Sequence, residues 1–187
     1  LTGRTVDAKG GNLTINSDDF ITGGTATLLS TGGGATFTLT GESASTIIDV
    51  GDSAAGGTGL DISEAELQDI AATFSTIAIG MDSTQTGAVT VNDTGGLTAL
   101  NSGLTLRSEG GGGSVTIGST VDLTNTATTS LLVEGTTINF DGSINTDSGS
   151  VTLTGPVVID AAVTIDTENG GDGAGGNIGF SSTIVAR

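Results

Sequence analysis

The sequence predicts an all-β chain, a parallel β-solenoid carrying one short helical insertion, and three observations predict it. Short runs alternate aliphatic residues with Thr at period two, glycines separate the runs, and a strand–corner–strand phrase recurs. The phrase is Val151-Thr152-Leu153, a Gly155-Pro156 corner, then Val157-Val158-Ile159. Its echo is Val115-Thr116-Ile117, Gly118, then Val121-Asp122-Leu123, with Val115 and Val151, and likewise Val121 and Val157, each 36 residues apart. A unit that cannot bury its apolar face alone is stabilised by stacking on its neighbours. Reading each unit as two turns gives about 18 residues per turn and about ten turns, each advancing about 4.8 Å, the interstrand spacing. Residues 1–187 form one such module, with the helical insertion at about 63–74.

From the N-terminus, Asn12–Asn16, Ala26–Leu29, Ala35–Leu39 and Thr46–Val50 are short and rich in β-forming residues. Gly10-Gly11, Gly23-Gly24, Gly32-Gly33-Gly34 and Gly41 separate them and permit corners. The period then changes. Leu67, Ile70, Ala71 and Phe74 fall at helical spacing, Ser63 with Glu66 writes a capping box, and Ile62 with Leu67 a hydrophobic staple. The bland reading, a helix packed on the side or end of the solenoid, outweighs a partner-docking element. Strands resume at Thr76–Gly80 and Gly87–Val91. They continue through Leu104–Leu106, Val115–Ile117, Leu131–Val133, Thr137–Phe140, Val151–Leu153 and Val163–Ile165. Five phenylalanines, Phe20, Phe37, Phe74, Phe140 and Phe180, are the only aromatics and are expected inside. Neither end shows a capping repeat, so both are expected to present unpaired strand edges.

Composition excludes much. With no Cys and no His there is no disulfide framework, cysteine nucleophile, imidazole base or Cys/His zinc site. Four Lys and Arg stand against 21 Asp and Glu, a formal net charge of -17, which repels nucleic acid and anionic membrane surfaces. No apolar run is long enough to insert into a membrane as a helix. Starting at Leu1 without a basic-apolar leader, the sequence reads as a fragment or processed chain. A Gly/Thr/Ser-rich, Cys-free, acidic β composition points to an extracellular or bacterial cell-surface location.

Leu60-Asp61-Ile62-Ser63, Ala65-Glu66-Leu67, Ile70, Ile77–Gly80, Gly87–Val91 and the later Gly175–Ile184 together resemble segments of filamentous-haemagglutinin-like bacterial secreted and surface proteins. The resemblance covers about a third of the chain. It implies a right-handed parallel β-helix forming the shaft of a surface or secreted fibre, with adhesive roles in the family. No Asn-Pro-Asn-Gly-type secretion motif accompanies it.

The candidate sites are few. Gly170–Asn177 is one imperfect copy of a Gly/Asp calcium repeat, which makes Glu168, Asp172 and Asn177 the metal candidates and calcium the one candidate cofactor. A calcium roll needs tandem copies, so a Gly-rich loop is the stronger reading. Gly51–Gly59 is weaker still. Gly110–Gly113 lacks the Lys and the helix of a phosphate loop. Asp141, Asp147, Asp160 and Asp166 are the carboxylates that stacked turns would bring near one another, yet no cation or aromatic platform accompanies them to bind a sugar. Thr124, Thr126, Thr128 and Thr129 are outward strand residues first, and O-glycan acceptors second. The expected function is a noncatalytic shaft or spacer of a fibre or adhesin. Its partners are its own ends, in filaments, or neighbouring modules of a longer chain. The alternative is a calcium-dependent adhesive module for a host or matrix ligand.

Overall fold

Alternation of aliphatic and polar residues writes the strands, and in the computed structural model it does so nineteen times among the described residues, 5–20, 27–51, 59–70, 73–98, 100–124, 129–168 and 174–187. In chain order they are β1 (Thr5–Asp7), β2 (Leu13–Asn16), β3 (Thr27–Leu29), β4 (Ala35–Thr40), β5 (Ile47–Gly51), β6 (Gly59–Ser63), then the helix α1 (Glu64–Asp69). There follow β7 (Phe74–Ile79), β8 (Val89–Val91), β9 (Gly103–Ser108), β10 (Val115–Ile117), β11 (Val121–Leu123), β12 (Leu131–Gly135) and β13 (Ile138–Phe140). The last are β14 (Ile144–Thr146), β15 (Val151–Thr154), β16 (Val157–Ile159), β17 (Ile165–Asp166), β18 (Ile178–Phe180) and β19 (Ile184–Ala186). The class is all-β with one short helix, and every strand pairing among these residues is parallel.

Two long sheets carry the architecture. Sheet I orders its seven strands β18-β15-β12-β9-β7-β4-β2, and sheet II its seven β19-β16-β13-β10-β8-β5-β6. A third sheet, β11-β14-β17, is shorter, and β1 pairs with β3 in a two-stranded piece. From β9 onward the chain visits sheets I, II and III in the same order, then returns to I. Inward residues form continuous rows. Phe37, Ile77, Leu104, Leu131 and Val151 are successive partners in sheet I, and Ile48, Val89, Val115, Ile138 and Val157 in sheet II, all buried. Each such side chain contributes about 1.5–3 kcal/mol by leaving water. Gly155 makes the predicted corner between β15 and β16. Its φ is +135° and a Cβ there would meet the Gly135 carbonyl oxygen at 2.0 Å, so only glycine fits.

The register corrects the expected repeat. Leu104 pairs with Leu131, Leu131 with Val151 and Val151 with Ile178, steps of 27, 20 and 27 residues rather than 18. Seven strands per long sheet replace the ten turns expected. The 36-residue echo had aligned Val115 of sheet II with Val151 of sheet I, because every face carries the same apolar-Thr-apolar pattern.

The insertion is also shorter than 63–74. Ser63 caps the helix, its Oγ accepting from the Glu66 N–H while the Glu66 carboxylate accepts from the Ser63 N–H at 3.0 Å, as the capping box requires. The helix stops at Asp69 because the next residues are claimed by sheet pairing: Ile70 bridges to Leu28, and Phe74 opens β7 opposite Ala35. Leu67, Ile70 and Phe74 are all buried, so the apolar spacing is real, but a strand delivers its last member. Ala71 lies outside the described residues. Phe20, Phe37 and Phe74 pack in succession, tilted and edge-on, with ring centroids 6.0 and 5.7 Å apart, and Phe140 is buried further along. Phe180 is the exception, left 37% exposed on a terminal strand.

Candidate functional site

The two ends of the sheets differ in what they cover. Ile178 sits in register over Val151, Phe180 over Leu153 and Ile184 over Val157, three residues that are wholly buried. Ile178, Phe180 and Ile184 therefore continue the inward rows, but β18 and β19 are the outermost strands of their sheets, and no strand among the described residues pairs beyond them. Ile178 is 46%, Ile184 49% and the outward Val185 47% exposed. In the third sheet Ile165, on the last strand, is half-buried over a fully buried Ile144. Among the described residues, apolar side chains at this end stand beside the unpaired outer edges of three sheets.

At the opposite end the row of sheet II is closed and that of sheet I partly covered. β6 is the outermost strand of sheet II, yet its Leu60 and Ile62 are wholly buried, and Phe20 is buried against Phe37. Leu13 and Ile15 on β2 are half-buried. The insertion produces this. β6 lies parallel to β5 and fills the place in sheet II level with β2, and α1 then tucks Leu67 into the core. Glu64 fastens the helix, its Oε1 accepting from both the Thr98 N–H and the Thr98 hydroxyl at 2.7 Å. The absence of a capping repeat in the sequence hid this closure, because the cap is an inserted strand and helix rather than a variant coil.

The metal candidates sit near the open end. Asp172 lies outside the described residues. On either side in sequence, Thr167 and Gly176 pair, the Thr167 hydroxyl donating to the Gly176 carbonyl at 3.0 Å and the Gly176 N–H donating to the Thr167 carbonyl at 3.2 Å. Glu168 and Asn177 flank that pair. The Glu168 N–H donates to Asp166 Oδ1 at 3.0 Å, and the Asn177 carbonyl accepts from the Val151 N–H at 2.9 Å as part of sheet I. Among the described residues no three carboxylates group as a metal site would require.

The remaining carboxylates divide between rows. Asp141 and Asp160 follow the paired strands β13 and β16, whereas Asp147 follows β14 and Asp166 lies on β17 in the third sheet. Asp141 Oδ1 is buried without a hydrogen-bond partner. The Gly110–Gly113 run turns its amides inward, Gly110 N–H to the Gln85 carbonyl at 2.6 Å and Gly113 N–H to the Gly110 carbonyl at 2.8 Å, so these two are not aimed at a phosphate. Thr124 ends beside Asp122, whose Oδ1 accepts its N–H at 2.9 Å, and Thr129 is buried; Thr126 and Thr128 lie outside the described residues. Asp7 has its carboxyl held below the ordinary value of 3.8, chiefly by the backbone N–H of Lys9 and next by that of Thr31.

Two polar positions escaped sequence reasoning. Gln85 is wholly buried, its Nε2 donating to the Thr46 carbonyl at 2.6 Å and its Oε1 accepting from the Met81 N–H at 3.3 Å. Thr146 takes an inward place beside Leu123 and donates to the Gly149 carbonyl at 2.6 Å. An amide or hydroxyl in an inward slot near a glycine corner was the available signal. A concavity of about 560 Å³ over sheet I, lined in part by Gly33, Thr76, Thr105 and Leu132, has no charged side chain on its walls.

No family model, curated protein or solved structure matches the chain. The continuous inward rows of the two long sheets are therefore the feature from which a role is argued. No helix among the described residues is long and apolar enough to cross a membrane.

Proposed function

We propose that the chain is a noncatalytic structural module, a right-handed parallel β-solenoid acting as a rigid shaft or spacer in a bacterial secreted or cell-surface fibre or adhesin. One observation carries this reading: apolar rows run in register through seven strands of each long sheet. Parallel in-register stacking gives stiffness along one axis. Each layer is held by backbone hydrogen bonds and by apolar contact with the layers on either side. The carboxylates outside keep such a body soluble and discourage lateral pairing of edges. The handedness and the surface location rest on the resemblance to filamentous-haemagglutinin-like segments.

Small-angle scattering and electron microscopy test the shape, with calcium as the second variable. The shaft reading expects an elongated particle of constant cross-section, about 34 Å long for seven layers, whose melting temperature barely moves with calcium. A compact sphere would sink it. A large upward shift with calcium would replace it with the calcium-dependent adhesive module centred on Glu168, Asp172 and Asn177.

A further inference from the structure

We infer that the uncharged hollow on the outer face of sheet I binds a small neutral saccharide through a set of Thr and Ser hydroxyls. The inference stands on β7, β9 and β12 alone and does not rest on the shaft reading. Gly103 lies beside Thr76 in register and carries no side chain, which opens the hollow on the face of these strands. At about 560 Å³ it has the volume of a small-molecule site. Thr105 decides the argument. It points away from the core between Ala78 and Leu132, its partners in register, and is only 6% exposed. Valine would fill that place between two apolar neighbours equally well, yet a hydroxyl stands there, and it has no hydrogen-bond partner among the described residues. An unpaired hydroxyl in so covered a place costs stability unless a bound molecule completes it.

Three more hydroxyls line the same hollow. Thr73 and Ser130 already accept at oxygen, from the Ser30 N–H at 2.8 Å and the Ser150 N–H at 3.0 Å, so each keeps its proton to donate. Thr76 is the third, and Leu132 supplies an apolar wall. These groups select the ligand. No charged residue is among the described lining, so no carboxylate there holds a cation, and a net charge of -17 turns anions away. Strands β7, β9 and β12 are paired on both sides within sheet I, so no free backbone edge receives a peptide strand. What fits is a neutral molecule that donates and accepts through hydroxyls and has a C–H face to lay on Leu132, which describes a sugar ring. The chain has no Trp or Tyr to stack on that ring, so the expected affinity is weak, on the order of millimolar.

Titration of the isotope-labelled 187-residue chain with maltose, cellobiose and lactose, followed by amide NMR, tests this, with glucuronate and a Gly-Ser peptide as the charged and peptide comparisons. At least one of the three neutral sugars is expected to give saturable shifts confined to residues 73–76, 103–105 and 129–132. Thr105→Val is expected to weaken that binding about five-fold. It should also keep or raise the urea midpoint, because it removes an unpaired hydroxyl and preserves the volume. Thr76→Val, at a less covered position, is expected to weaken binding with the circular dichroism unchanged. No saturable shift from any of the three sugars, shifts centred elsewhere, or a stronger response to glucuronate or to the peptide would overturn the inference. So would a lowered urea midpoint in Thr105→Val together with intact binding in Thr76→Val, since the hydroxyls would then serve the fold rather than a ligand.

Discussion

At Gly80 the backbone turns with φ of +94°, and a Cβ built there would stand 2.1 Å from the Arg107 carbonyl oxygen on the neighbouring strand. Gly80→Ala must both strain φ and push two layers apart, so it is expected to cost about 2–4 kcal/mol of unfolding free energy. Gly111, with nothing within 4 Å of its virtual Cβ, is the matched control, and Gly111→Ala should stay within about 0.5 kcal/mol of the parent in urea denaturation. Equal effects at the two sites would show that glycine here serves chain entropy rather than close approach. Asp7 supplies a pH-dependent counterpart at the same scale. Its carboxylate accepts from the Lys9 N–H at 2.8 Å, the Thr31 N–H at 3.1 Å and the Thr31 hydroxyl at 2.9 Å, and these bonds lower its pKa from 3.8. A lowered folded pKa means the stabilisation is present above the unfolded value and is lost as pH falls through the folded one. Asp7→Asn should therefore loosen the Lys9 and Thr31 amides at neutral pH, read by amide exchange in NMR. Wild type should converge on the variant only below pH 3.8. Convergence already at pH 5 would contradict the assignment.

Among elements, α1 shows what a local signal can and cannot convey. The capping box was legible because Ser63 and Glu66 satisfy each other's backbone groups without outside help. The helix end was not legible, since Ile70 and Phe74 suit a helical face and a parallel strand equally, and only the pairing with Leu28 and Ala35 decides between them. Strands β6 and β14 were missed for a related reason. Asp61 and Asn145 interrupt the Thr pattern, and nothing local says that each will lie beside a strand already formed. Six residues of helix are too few to stand alone, so α1 depends on its anchors. Ser63→Ala is expected to cost about 0.5–2 kcal/mol through loss of the cap. Glu64→Gln should weaken the attachment to Thr98, raising exchange at the Thr98 amide more than in the sheets. If Ser63→Ala left stability untouched, the insertion would be a passenger rather than the closure of the N-terminal end.

For the whole molecule, the sequence carried the class and the inward rows but lost the register. An apolar-Thr-apolar run is the same word on every face, so self-similarity found a 36-residue echo where pairing uses steps such as 27 and 20. The open end was half legible. Unpaired edges were expected at both termini, but that one edge would be closed by β6 and α1 depends on where residues 59–69 fold back. This asymmetry sets a stability gradient. In a stack whose layers touch only their neighbours, stability sums over layers and shared faces, and a terminal layer lacks one face. The layers of β9 and β12 have neighbours on both sides, and Arg107 with Glu134 ties their outer faces at 2.7 Å, a partly exposed bridge worth at most about 1 kcal/mol. Those of β18 and β19 have one neighbour and exposed apolar residues. Native-state hydrogen exchange should therefore find the slowest amides in β9 and β12 and the fastest strand amides in β18 and β19. Uniform protection across all layers would mean that the chain opens as a single unit.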